Sequence, residues 1–203
     1  MKEKTAVIVL HEIYGVNSHM KHMCQKLVDK QLEVLCPSLI GEERVFSYEQ
    51  QKEAYAYFTE RIGFARAAFH VKQLIARLKK EYKAIFLVGF SAGATVAWLC
   101  SEEKGLGGIV GYYGSRIRDY LQVSPSCPVL LFFPETELSF HVEDVLNSMK
   151  KPGIRTVQWP ARHGFSDPFS VHYNHTAAEG AFREAIEWIK GERVNGEVYR
   201  AWK

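Results

Sequence analysis

AIFLVGFSAGATVAWL (residues 84–99) sets an apolar run, a serine between glycines and a second apolar run in direct succession. AIFLVGF (84–90) is short and closed by a turn signal, as expected of a strand buried on both faces. ATVAWLCSEE, after the glycines, reads as a helix. Ser91 stands between them in GFSAG (89–93). The pattern G-x-S-x-G alone arises by chance in about one chain in fifteen of this length. Its meaning therefore rests on what surrounds it.

The same alternation extends in both directions. TAVIVL (5–10), LEVLC (32–36), GGIVGYYG (107–114), CPVLLFF (127–133) and IRTVQW (154–159) read as further strands. Between them lie helical segments. Met20, Met23, Cys24 and Leu27 recur at helical spacing in 19–30, and a long stretch from about 48 to 80 is interrupted at Gly63. Helices also fall near 141–150 and 175–190. Six strands separated by helices predict an α/β fold with a mostly parallel sheet and helices on both faces. No linker, repeat or low-complexity segment divides the chain, so residues 1–203 read as one domain. The tail GERVNGEVYRAWK (191–203) carries an Asn195-Gly196 turn signal and is expected to form a small hairpin or a packed arm.

Composition excludes several classes of function. The 203 residues are 47% hydrophobic and 24% charged, with a net charge of +3 spread along the chain, as in an ordinary soluble domain. The basic pairs Lys79-Lys80 and Lys150-Lys151 are too short for a nucleic-acid footprint and read as solvated helix ends. No apolar run reaches membrane-spanning length, and MKEKTAVIVLHE reads as a first strand rather than a signal peptide. Four widely spaced cysteines without a C-x-x-C pair point to reduced thiols in a cytoplasmic protein, with no metal site.

In this setting Ser91 opens a helix after a buried strand, which is the arrangement of a nucleophile elbow. A serine needs a base to attack at neutral pH. His163, in PARHGF, follows the strand ending at Trp159 and reaches the same sheet edge. His141 reads as a helix start, and His172 and His175 lie near the last helix. The acid belongs after the strand ending at Phe133, where Glu135, Glu137, Glu143 and Asp144 are the candidates, the last two inside a predicted helix. Glu137, four residues on, has the better reach. The oxyanion of an acyl-transfer intermediate would take the backbone N–H of Ala92 and, from the loop HEIYGV, that of Ile13. Glu12 in that loop either orders it or places a charge beside the serine. Tyr14, Tyr55, Tyr112, Tyr113 and Phe165 are candidate pocket walls, or equally core.

These segments resemble the dienelactone hydrolase family of α/β-hydrolases almost end to end. HEIYGVNSHM, LVDKQLEVLCPSLI, EAYAYF, GFSAGATVAWL, GIVGYYG, PVLLFFPETELSF and ARHGF match its motifs in order. The resemblance implies Ser91 as nucleophile, Glu137 as acid, His163 as base, Glu12 as the glutamate contacting the resting nucleophile, Ile13 as oxyanion donor and Tyr55 as a pocket tyrosine. It implies no cofactor. The founding members use cysteine as nucleophile and aspartate as acid. Where they hold the substrate carboxylate with two arginines, this chain has Gln51 and Asp167. The implied activity is hydrolysis of a small neutral or cationic ester, lactone or thioester through an acyl-enzyme, with dienelactone itself a poor substrate. The alternative is a hydrolase-fold protein that binds a small ligand or partner and turns over little.

Overall fold

The structure is a computed structural model that describes residues 4–41 and 44–191. The expected hairpin around Asn195-Gly196 lies outside the described residues. Six parallel strands form one sheet: β1 (Thr5–Leu10), β2 (Glu33–Leu35), β3 (Ala84–Phe90), β4 (Gly108–Tyr112), β5 (Val129–Thr136) and β6 (Ile154–Arg162). Their spatial order is β2-β1-β3-β4-β5-β6. The chain leaves β1 for one edge and returns to build the other, so the order reverses between β1 and β3. In open parallel sheets, ligands bind in the crevice beyond the C-terminal ends of the strands at such a point.

Alternation along the strands feeds two cores. Ala6, Ile8 and Leu10 face one layer, with Ala68, Val71 and Ile75 of α3 (Phe64–Leu78) and Val96 and Ala97 of α4 (Ala92–Cys100). Val7 and Val9 face the other, with Met20, Met23 and Leu27 of α1 (Ser18–Val28) and Ala181, Phe182 and Ala185 of α6 (His175–Lys190). Each fully buried Leu, Ile or Phe contributes about 1.5–3 kcal/mol to holding a helix on the sheet. Two shorter helices, α2 (Gln51–Ala56) and α5 (Val142–Ser148), complete the fold. The predicted break at Gly63 is present: a π-helical turn, Tyr57–Ile62, ends there, and Gly63 takes φ +75° before α3 begins.

The strand ends differ from the sequence expectation where the site is built. β5 runs on to Thr136 rather than stopping at Phe133, and β6 runs to Arg162 rather than Trp159. Mutual pairing carries both strands past the apolar runs that marked them, with a bulge between Pro134 and Thr136. Glu137 and His163 are thus the first residues after their strands, not residues four positions into loops. Cys100 and Cys127 are buried and Cys24 and Cys36 half-buried, all four as free thiols. No helix among the described residues is long and apolar enough to cross a membrane.

Candidate active site

The elbow is made by backbone contact. Gly89 and Gly93 flank Ser91, and neither tolerates a side chain. A Cβ on Gly89 would lie 2.3 Å from the Gly93 carbonyl oxygen, and one on Gly93 would lie 2.0 Å from that of Leu10. The first turn of α4 therefore presses directly on the end of β1. Ser91 is held at φ 49°, ψ −109°, a region costly to any residue with a side chain, on the order of 1–3 kcal/mol. Its N–H donates to the Tyr112 carbonyl at 2.9 Å, and its carbonyl accepts from the Thr95 N–H at 3.2 Å. The sheet and the helix together offset that strain.

Three expected residues meet in one line. The Ser91 hydroxyl donates to Nε2 of His163 at 3.0 Å, and Nδ1–H of His163 donates to Oε1 of Glu137 at 2.6 Å. The Glu137 side chain is 7% exposed and the imidazole 36%, so the acid is sheltered while the base faces the solvent side. The register shift between Pro134 and Thr136 comes directly before Glu137, whose carboxylate meets the imidazole that follows β6. Glu135 is exposed, and its backbone carbonyl accepts from Gln158.

Ala92 is the first residue of α4, so its N–H has no helical acceptor. Ile13 lies in the loop after β1, and its N–H has no backbone acceptor among the described residues. That loop is pinned by His11, which is fully buried. Its Nε2 accepts from the Leu39 N–H at 2.7 Å, and its Nδ1–H donates to the Glu12 carbonyl. Burial lowers the His11 pKa to about 4, against smaller opposing effects of the Glu12 carbonyl and carboxylate. The ring is therefore neutral at pH 7, as the acceptor role of Nε2 requires.

The aromatic candidates separate. Tyr113 and Phe165 are fully buried, and so is Tyr112. They form a layer behind the site rather than an open wall. The Tyr113 ring packs at a tilt 4.8 Å from the imidazole of His163 and edge-on 5.4 Å from Phe165, and its hydroxyl shares a hydrogen bond with Ser166 at 2.8 Å. Tyr113 also takes a left-handed backbone, φ 42°, directly after β4. Tyr14 is half-buried and packs edge-on against Tyr48 at 5.0 Å. Tyr55 is exposed and meets the Arg116 guanidinium.

Glu12 is 6% exposed. Burial pushes its carboxyl pKa up, but His19, His163 and the Tyr113 hydroxyl together outweigh burial and hold it below the usual range. His19 and Asp167, both buried, lie beside it. Asp167 accepts from the Tyr48 hydroxyl and, at 2.9 Å, from the Phe169 N–H. His11, His19 and Tyr48 were not singled out by the sequence reading. In this fold the base follows the nucleophile along the chain, and the two histidines bracketing EIYGVNS (12–18) precede Ser91. Their signal was two polar rings in a segment otherwise rich in apolar residues.

The Dienelactone hydrolase family profile matches residues 1–192. The uncharacterized protein YczH of Bacillus subtilis (strain 168) is 42% identical over 177 residues, covering 86% of this chain and 87% of that protein. Two solved structures share the fold. One is a dienelactone hydrolase-like promiscuous phosphotriesterase from metagenomic libraries, with TM-score 0.73 and 18% identity, covering 93% of this chain and 86% of that one. The other is an esterase of Pyrococcus furiosus, with TM-score 0.66 and 19% identity, covering 93% and 82%.

Proposed function

We propose, from the premise that this chain belongs to the dienelactone hydrolase family, that it is a serine hydrolase of small carboxylic esters, lactones or thioesters. The observation that supports this most is the hydrogen-bonded line Ser91–His163–Glu137, with contacts of 3.0 and 2.6 Å, on an elbow whose glycines admit no side chain.

His163 Nε2 takes the hydroxyl proton as Ser91 Oγ attacks the carbonyl carbon. Glu137 holds the imidazole in the required tautomer and stabilises the imidazolium that forms. The negative charge on the former carbonyl oxygen is met by the N–H groups of Ala92 and Ile13, aided by the N-terminus of α4. When the tetrahedral intermediate collapses, His163 returns the proton to the leaving alkoxide or thiolate. Water, deprotonated by the same imidazole, then attacks the acyl-serine; as the Ser91 Oγ–acyl bond breaks, His163 returns the proton to Oγ and the acid leaves.

Asp167 stands where the resemblance places an arginine, so a substrate carboxylate loses that bidentate partner. The substrate class is therefore neutral or cationic. The test is labelling by a fluorophosphonate probe with mass spectrometry. Modification of Ser91, abolished in Ser91→Ala and His163→Ala, supports the proposal. No labelling between about pH 6 and pH 9 refutes it. A panel of short acyl esters, lactones and thioesters then ranks substrates. A phosphotriester belongs in the panel because the metagenomic structural relative carries that activity in its name.

A further inference from the structure

Glu12, His19 and Asp167 converge from three separate elements: the loop after β1, the start of α1 and the loop after β6. Each offers one ligand atom, and these atoms all lie within 4.8 Å of one another. The side chains are 8%, 0% and 2% exposed. Nδ1 of His19 faces both carboxylates, at 3.9 Å from Oε2 of Glu12 and 3.9 Å from Oδ2 of Asp167. Neither ring nitrogen has a hydrogen-bond partner among the described residues. A fully buried imidazole with both nitrogens unpaired costs free energy that a nearby carboxylate would ordinarily relieve by closing to ~2.8 Å.

We infer that these three side chains bind a divalent first-row transition metal ion such as Zn²⁺ or Co²⁺. Each 3.9 Å gap is too wide for a hydrogen bond, and donor atoms bound at ~2.1 Å around a tetrahedral ion lie ~3.4 Å apart, so a shift of about half an ångström in the side chains closes the three onto one ion. Two carboxylates and a neutral imidazole around a dication sum to zero charge, which a buried site favours. One nitrogen and two oxygens suit zinc, cobalt or manganese better than calcium, which takes six to eight oxygens. The Tyr48 hydroxyl and the Phe169 N–H already orient the Asp167 carboxylate, as outer hydrogen bonds do around ligands. The ion would tie together the loop carrying Ile13, helix α1 and the loop carrying His163. The site stands whether or not Ser91 is the nucleophile.

The test is a titration of the chelator-treated, dialysed chain with Co²⁺, followed by visible absorption and displaced with Zn²⁺. One ion per chain is expected, without the thiolate charge-transfer absorption that binding at Cys24 or Cys36 would produce. His19→Gln, Glu12→Gln and Asp167→Asn are each expected to weaken binding at least about tenfold. Substitution of the exposed His172 by Gln is expected to leave it within twofold. Because a buried variant can fail to fold, the wild-type chain carries a second measurement. With ¹⁵N-labelled histidine, saturating Zn²⁺ is expected to shift the Nδ1 resonance of His19. No binding up to about 1 mM metal, affinity indifferent to every folded variant of the three, or an unshifted His19 resonance overturns the inference.

Discussion

Replacing Glu137 by Gln tests how the site works without changing its shape. The carboxylate is 2.6 Å from Nδ1 of His163, and its side chain is almost fully buried. Glutamine keeps an oxygen that can accept from Nδ1–H but removes the negative charge facing the imidazolium. With charge centres ~4 Å apart and an effective dielectric of about 20, that attraction is about 4 kcal/mol. At about 1.4 kcal/mol per decade, kcat/KM is expected to fall about a thousandfold. The natural substrate is not needed to measure this. Hydrolysis of p-nitrophenyl acetate and the rate of fluorophosphonate labelling both report on activation of Ser91. Glu135→Gln is the control, since that residue is exposed, and its rate is expected to stay within about twofold. A Glu137→Gln enzyme retaining more than a tenth of its activity, or a Glu135→Gln enzyme falling as far, refutes the assignment of the acid.

Three further outcomes are expected. Gly93→Ala would place a Cβ 2.0 Å from the Leu10 carbonyl oxygen and 2.7 Å from that of His11, both backbone atoms that cannot swing away. Destabilisation of about 3 kcal/mol or more, with loss of labelling, is expected, and an unchanged urea midpoint would contradict it. Burial lowers the His11 pKa from 6.5 to about 4, so its contribution to stability is complete above about pH 6.5 and is lost as pH falls toward 4. That loss amounts to about 3 kcal/mol. In urea unfolding, the stability difference between wild type and His11→Gln is expected to narrow by most of that amount between pH 7 and pH 4.5, and a constant difference would contradict it. Dienelactone, an anion, is expected to be hydrolysed far more slowly than a neutral ester of similar size. Comparable kcat/KM values for the two would show that the absence of an arginine at position 167 does not select against a carboxylate.

Much of the site was legible because local rules place it. A buried strand followed by G-x-S-x-G forces a tight turn, and the order serine, acid, histidine follows from which strands feed the same sheet edge. The choice between Glu137 and Glu135 was harder to read. It turns on how far β5 continues and on a bulge at Pro134–Thr136, and both depend on pairing with β6 across the sheet. Tyr113 and Phe165 read from sequence equally as pocket wall or core, and the structure buries both, with the Tyr113 ring 4.8 Å from that of His163. Whether an aromatic lines a cavity or fills the space behind it depends on what packs against its other face. The cluster of Glu12, His19 and Asp167 was the least visible, since Asp167 lies 148 positions from His19.

Sequence by itself determined the parallel sheet, the layers of helix around it and the residue types at the elbow. These rest on periodicity and on turn chemistry, which act over a few neighbouring residues. Only the tertiary structure decided which carboxylate meets His163, that Gly93 abuts Leu10, and that three polar side chains from distant segments share one buried space. Those facts depend on strand length, register and the approach of one backbone to another. Such distances are set by the packing of the whole sheet, and no local stretch of chain encodes them.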